Sequence, residues 1–302
     1  MMITYLILAH RYPEQLFRLV DRLDAAGVHF LIHIDKKVDE GIFSSITDRL
    51  ESRGNVHFIK RYKCHWAGYG IVQASYQGLK ELKERKIPYD YVCLMSGQDY
   101  PIKPNDYIAS FFKKHEGKSF INTHKFPQPH WIYENGGFDR IQNWYVVTAS
   151  NQYGFPRRMF KNNRYLNKLF SATLGRVIPN RKFPANFDPY GGAQFWGLHK
   201  THADYVVKTI EDNPSFFRFF RNVRVPDEIL FQTVMGNHPH AANELVNDTL
   251  HFLEWNRPGA TLTIEDKDNI LNSHYLFARK FDDTVDPQIT NWIDTTILRR
   301  NK

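Results

Sequence analysis

ITYLILAHRYPEQLFRLVDRLDAAGVHFLIHID, residues 3–35, is the stretch whose reading decides the fold. ITYLILAH (3–10) is a near-continuous apolar run, as expected of a strand buried on both faces of a parallel sheet. Pro13 stands where a first helical turn would begin. Leu16, Phe17, Val20 and Leu23 then recur at helical spacing, and Gly27 stops the helix. HFLIHID (29–35) is a second strand, so the stretch is a strand–helix–strand unit. The pattern continues with a helix near 42–53 ending at Gly54 and a strand over VHFIK (56–60). A helix over 70–86 follows, with Ile71, Ala74, Leu79 and Leu82 facing inward, then a fourth strand, YDYVCLMSG (89–97). This order predicts an α/β fold with a doubly wound, mostly parallel sheet. Ligands of such sheets bind beyond the carboxyl ends of the strands. Here those ends carry His10 with Arg11, Asp35 with Lys36, and Ser96 to Asp99.

The chain has 302 residues, 42% hydrophobic and 24% charged, which is the balance of a globular protein rather than a disordered one. Net charge is +8, which suits an anionic partner such as a nucleotide, a nucleic acid, an anionic lipid surface or a phosphorylated substrate. No nucleic-acid-binding motif is present. The 15% aromatic content serves either a core or a sugar- or base-binding surface. Two cysteines, Cys64 and Cys93, make no disulfide framework and favour a reducing compartment. No CxxC or His-rich spacing points to a structural zinc. The apolar run 3–9 is too short for a membrane span and has no basic flank, so a cytoplasmic location is expected.

Past residue 103 the pattern is less regular. A helix is expected over 104–118, a loop-rich region from INTHKFPQPHW onward, a strand over GGAQFWGLHK (191–200) and a helix from about Pro226. No repeat or low-complexity linker appears. The expectation is one catalytic unit, 1–302, with a nucleotide-binding half (1–103) and an acceptor and catalytic half (104–302). Residues 155–183 carry Arg157, Arg158, Lys161, Arg164, Lys168, Arg176, Arg181 and Lys182 without one acidic residue, interleaved with Phe160, Leu166, Leu169 and Phe170. That stretch is either a solvated face or a docking surface for an anionic membrane or a lipid-pyrophosphate-linked acceptor.

Several carboxylates are candidates for chemistry. Asp35 closes a buried strand, where it either binds a ribose or base or caps a turn. Ser96-Gly97-Gln98-Asp99 lacks the paired aspartates that would hold a divalent cation against a diphosphate, so Asp99 reads as structural. Without a metal, fixed cations must neutralise a leaving diphosphate, and EWNRPG (254–259) and YLFARKF (275–281) offer them. VPDEIL (225–230) holds adjacent carboxylates. They are either helix-dipole partners, with Asp227 as the cap, or include a general base at Glu228.

YLILAHRYPEQLFRLVDRL, FLIHIDKK, YDYVCLMSGQDYPIK, GGAQFWGLHK, VPDEILFQT and SHYLFARKF, in this order from about residue 4 to 282, resemble the core-2/I-branching β-1,6-N-acetylglucosaminyltransferases and the related peptide xylosyltransferases. The resemblance implies a GT-A-like fold and inverting transfer from a UDP-sugar donor, most readily UDP-GlcNAc, with no metal and no cofactor. It places the catalytic base on Glu228. It places the diphosphate cations on Lys280 and, by the spacing within the family, on Arg257. Asp35 would bind the uridine end, His10 would line the same pocket, and Asp139 and Arg140 would meet the acceptor. Three departures stand out. Asn122 replaces an acceptor-gripping Glu, the aromatic platform before Arg257 is shortened, and the animal enzymes' many cysteines and membrane anchor are missing. The implied protein is a cytoplasmic enzyme, peripheral to the membrane, acting on a glycan or lipid-linked glycan in surface polysaccharide or lipopolysaccharide synthesis. Alternatives are transfer of xylose or another sugar from UDP, a metal-dependent transferase using Asp99, and a non-catalytic glycan-binding protein.

Overall fold

The computed structural model describes residues 1–155, 164–173, 179–254 and 260–299. Its first part alternates β1 (Ile3–Ala9), α1 (Pro13–Leu23), β2 (Val28–Ile34), α2 (Glu40–Leu50), β3 (Val56–Phe58), α3 (Tyr69–Glu84) and β4 (Tyr91–Ser96). Then come β5 (Asp99–Pro101), α4 (Asn105–Lys114), β6 (Ser119–Ile121), β7 (His124–Lys125), α5 (Phe138–Gln142) and the hairpin of β8 (Trp144–Val147) and β9 (Gln152–Phe155). They are followed by α6 (Arg164–Ala172), β10 (Tyr190–Gly191), β11 (Trp196–His199), α7 (Lys200–Asp212), α8 (Pro214–Phe219), α9 (Leu230–Gly236), α10 (Ala241–Glu244) and β12 (Leu245–Val246). Last are β13 (His251–Leu253), α11 (Lys267–Asn272), β14 (Phe277–Arg279) and α12 (Pro287–Trp292).

The central sheet has seven strands in the order β12-β6-β11-β4-β1-β2-β3. β1 runs parallel to β2 and β4, and β2 parallel to β3. β11 runs antiparallel to both β4 and β6, while β12 is parallel to β6. The sheet is therefore mixed but mostly parallel, and the chain beyond residue 103 supplies three of its strands. Alternating side chains of β1 feed two cores. Tyr5 and Ile7 pack with Leu16, Phe17 and Val20 of α1, whereas Leu6 packs with Val72, Leu79 and Leu82 of α3. Helices cover both faces, which is why β1 carries apolar residues in both registers. Gly78 lets α3 approach this closely, because a Cβ there would lie 2.4 Å from Leu6 Cδ1.

Local differences from the expected pattern have local causes. α2 starts at Glu40 because the Asp39 side chain accepts from the Gly41 and Ile42 amides and caps it. Ile71 is half-buried, and Val72 takes the inward position in its place. The stretch 191–200 splits between β10, which pairs with β7, and β11 in the main sheet. No helix starts at Pro226: Val225 is left-handed (φ 51°), Pro226–Glu228 is a 3-10 turn, and α9 begins only at Leu230. Among the described residues no helix is long and apolar enough to cross a membrane.

Candidate active site

The carboxyl ends of the parallel strands β1, β2 and β4 lie side by side, at the edge where sheets of this kind hold a ligand cleft. Beyond β1, Arg11 Nη2 donates to Gln98 Oε1 (3.0 Å) and lies 3.9 Å from Asp282 Oδ2, which also accepts from the Tyr12 hydroxyl (2.9 Å). Asp35, just past β2, is buried. It accepts from the Lys37 amide (2.9 Å) and the Cys64 amide (3.3 Å) and pairs with Lys37 Nζ (3.4 Å). It therefore holds its own turn at the carboxyl end of β2. His10 is drawn below its ordinary value by partial loss of water and then by Arg11, against the pull of Asp35, with Lys280 and Lys37 adding to the lowering. Lys280 is lowered as well, by burial and then by Arg11 and Arg279, with Asp282 opposing. Arg11, Lys37 and Lys280 thus crowd positive charge around one neutral imidazole, and a bound anion would relieve that crowding.

β14 brings Lys280 there. Its strand pairs antiparallel with β5, so LFARKF lies against SGQDYP, and the Phe281 amide donates to Gln98 O (2.8 Å). Asp99 is fully buried in this contact. It accepts from the Ser96 amide (2.7 Å), the Ser96 hydroxyl (2.6 Å) and Arg279 Nε (3.1 Å), and lies 3.4 Å from His251 Nε2. Burial alone would raise its pKa, but Arg279, His251 and Ser96 outweigh it and the carboxyl stays below the usual range. Its oxygens are committed to tying β14 to β4, the structural role read from the sequence. Arg257 lies outside the described residues. The Lys280 amide donates to Ala260 O (3.2 Å) and its carbonyl accepts from the Leu262 amide (2.9 Å), so Lys280 is anchored to the chain just after that segment.

Glu228 sits on the 3-10 turn, half-buried, and its carbonyl accepts from the Gly192 amide (3.0 Å). Gly192 has no room for a side chain, since a Cβ would fall 1.8 Å from Asn122 O. Glu228 Oε2 accepts from Arg140 Nη1 at 2.6 Å. The Arg140 guanidinium also donates to Glu134 and lies 3.6 Å from the centre of the Trp131 ring. Arg224 pairs with the same Glu134. A charge ladder, Arg224–Glu134–Arg140–Glu228, therefore runs along the site. Beside it is a hollow of about 660 Å³ lined by His130, Trp131, Tyr133, Glu134, Asp139, Arg140, Asn143, Tyr145 and Arg224. Aromatic faces alternating with carboxylate and guanidinium groups suit a carbohydrate, whose C–H faces stack while its hydroxyls hydrogen-bond. Asn122 is elsewhere engaged, donating to Asn247 Oδ1 (2.8 Å).

A scan of known families matches residues 3–271 to the model described as Core-2/I-Branching enzyme. The chain belongs to the Core-2/I-branching enzyme family. This is a family of glycosyltransferases, and the mixed α/β sheet is that of a GT-A-like branching-enzyme fold. Curated relatives include xylosyltransferase sqv-6 of Caenorhabditis briggsae, 24% identical over 250 residues, covering 82% of this chain and 28% of that protein. Xylosyltransferase oxt of Drosophila melanogaster is 24% identical over 83% of this chain and 26% of its own length. Xylosyltransferase 2 of Rattus norvegicus is 24% identical over 84% and 27%. The chain spans about a quarter of the length of these relatives.

In this branching-enzyme fold two sequence expectations change. Asp227 does not cap α9. It is 6% exposed, its Oδ1 has no hydrogen-bond partner, and burial with the neighbouring Glu228 pushes its pKa up to about 7 despite its backbone bond, Arg140 and Arg279. Arg181 is not a surface charge of the basic stretch. It is buried, donates to the Asn222 (2.9 Å) and Phe219 carbonyls, and stacks on Phe219. Residues 156–163 and 174–178, with Arg157, Arg158, Lys161 and Arg176, lie outside the described residues. Sequence reasoning missed Glu134, Arg224 and Trp131. HWIYENGG (130–137) falls in the stretch expected to be loop, and its aromatic–acid pairing ahead of Asp139 and Arg140 is the available signal.

Asp227 carries a stability prediction. Its native pKa, about 7, exceeds the ordinary Asp value of about 3.9. Between those values the native state holds a proton that the unfolded chain has lost, so this contribution to stability falls as pH rises from about 4 to 7. The slope is about 1.4 kcal/mol per pH unit at its steepest. His33, buried and pushed down to about 4, works in the opposite direction over much of the window. The reading is therefore the difference between wild type and Asp227→Asn in denaturant melts at successive pH values. The variant should gain relative stability toward pH 7, and a pH-independent difference would refute the assignment.

Proposed function

We propose that this chain is an inverting UDP-sugar glycosyltransferase in which Glu228 is the general base and fixed cations, not a divalent metal, receive the diphosphate. The observation that carries the reading is the position of Glu228. Arg140 holds it beside the aromatic hollow, and its neighbour Asp227 lies within electrostatic reach of Arg279, the residue before Lys280. The acceptor hydroxyl passes its proton to Glu228 as its oxygen attacks the anomeric carbon. The bond from that carbon to the UDP oxygen breaks on the opposite face, and UDP leaves with the electron pair. Lys280 and Arg257 stabilise the charge that grows on it, as preorganised donors do. Asp35 and His10 belong to the uridine side. Asp139 and Arg140 belong to the acceptor side, where Glu134 provides a carboxylate at the hollow in the absence of one at Asn122.

The acceptor is a glycan or lipid-linked glycan of surface polysaccharide or lipopolysaccharide synthesis, met in the cytoplasm at the membrane face. Exposed Tyr165, Leu166 and Leu169 on α6 support that docking. GlcNAc is the first candidate sugar. Xylose is the second, favoured by the xylosyltransferases among the relatives.

Calorimetric titration of UDP in excess EDTA tests the reading. Binding should persist without metal. Lys280→Ala and Arg257→Ala should each weaken it by on the order of 1.5–3 kcal/mol, about 10- to 150-fold. Binding that appears only with Mg²⁺ or Mn²⁺ would move the diphosphate away from Lys280. Turnover of UDP-GlcNAc against UDP-xylose then selects the sugar.

A further inference from the structure

At the opposite end of the sheet from the cleft, three side chains distant in sequence converge. His202 is in the first turn of α7, His238 lies just past α9, and Glu244 ends α10 immediately before β12. One ligand atom of each lies within 4.8 Å of the others. Glu244 Oε2 is 3.0 Å from His202 Nε2 and 3.7 Å from His238 Nδ1. Two ligands of a tetrahedral ion with bonds of roughly 2.0–2.1 Å stand about 3.3 Å apart, between these two distances.

We propose that His202, His238 and Glu244 form a zinc site, with water in the fourth position, that fastens the end of α9 to α7 and to the edge strand β12. Two imidazole nitrogens and one carboxylate are the donor set of a borderline transition ion rather than of Mg²⁺ or Ca²⁺, which prefer oxygen. His202 has the outer contact of a metal ligand, while the His240 amide approaches His238 Nδ1 at 3.3 Å. His202 is buried, and its other nitrogen, Nδ1, lies 2.8 Å from the Ser119 hydroxyl, which also accepts from the His199 amide (2.8 Å). That hydroxyl fixes the ring's orientation and aims Nε2 at the cluster.

The position gives the ion a purpose. α9 begins two residues after Glu228 and has seven residues, about 10 Å. Its first turn follows the Glu228 turn, and its far end is the one the zinc would hold. The site is thus a staple behind the acidic turn and takes no part in bond making. Sequence spacing hid it because no pair of its ligands has a metal-binding interval. The inference stands whether or not the transfer reaction is as proposed, since its test reads metal binding and unfolding only.

The full chain is stripped with EDTA, exchanged into chelator-free buffer and titrated with ZnCl₂ by calorimetry, with thermal melts at each stage. One zinc per chain is expected, with a rise in Tm of about 4 °C or more when free zinc is a hundredfold above its dissociation constant. His238→Ala and Glu244→Gln change half-buried side chains and leave the buried His202–Ser119 contact intact. Each should weaken zinc binding at least about tenfold and abolish the Tm rise. Co²⁺ in place of zinc should show the strong visible bands of a four-coordinate site in wild type and lose them in either variant. No Tm rise in wild type, or an equal rise in both variants, would overturn the proposal and assign any bound zinc to surface histidines.

Discussion

Glu228→Gln is expected to bind UDP as wild type does and to lose transfer by about 10²–10⁴-fold, the usual contribution of a positioned general base. The substitution is close to isosteric. A glutamine oxygen at Oε2 still accepts from Arg140 Nη1, so the contacts of Arg140 to Glu134 and Trp131 remain. The turn survives because its backbone is held by Gly192, not by the carboxylate. What disappears is the ability to take a proton. Saturating-donor kinetics alongside UDP calorimetry separate these effects. Turnover within tenfold of wild type would remove Glu228 from the chemistry, and lost UDP binding would show instead that the turn had moved.

Arg140→Met should cost both stability and activity. The guanidinium is buried between Glu134 and Glu228, whose side chains are 20% and 30% exposed. Methionine replaces the guanidinium over Trp131 with an apolar end and removes the charge that two carboxylates share. Breaking a buried pair typically costs ~3–5 kcal/mol. Here solvent reaches both carboxylates and Arg224 still pairs with Glu134, so about 2–3 kcal/mol is expected in denaturant unfolding. Transfer should fall by roughly 10²-fold, because the base loses the group that aims it. Arg140→Lys should recover part of the stability and little of the activity, since an ammonium cannot span both partners as a fork does. A fully active Arg140→Met would show that Glu228 is positioned by its turn alone.

Both predictions rest on contacts of unequal visibility in the sequence. The first half of the fold was legible because it is local: apolar runs of strand length and helical periodicity set β1 through β4, although α1 and α2 end at Leu23 and Leu50, four residues ahead of Gly27 and Gly54. The later half was not. β11, β6 and β12 are short and complete their hydrogen bonds across the sheet, so local propensity says little about them. The turn at Pro226 shows the same limit. A proline ahead of two carboxylates and an apolar run has the signature of a helix start. The left-handed Val225 and the bond from Gly192 to Glu228 hold those residues in a 3-10 turn instead.

From its sequence alone this protein is an α/β chain with charged residues at its strand ends, and its ordered motifs place it among the branching enzymes. The succession of β1 to β4 along the chain follows from periodicity, which is carried by sequence neighbours, whereas the places of β11, β6 and β12 in the sheet do not. Which charges meet is a different matter. That Arg140 grips Glu228, that Glu134 bridges two arginines, that Asp227 is buried with an unpaired oxygen and that His202, His238 and Glu244 converge were decided by tertiary structure. Coulomb and hydrogen-bond energies depend on distance in space, and tertiary packing, not spacing in the chain, sets those distances.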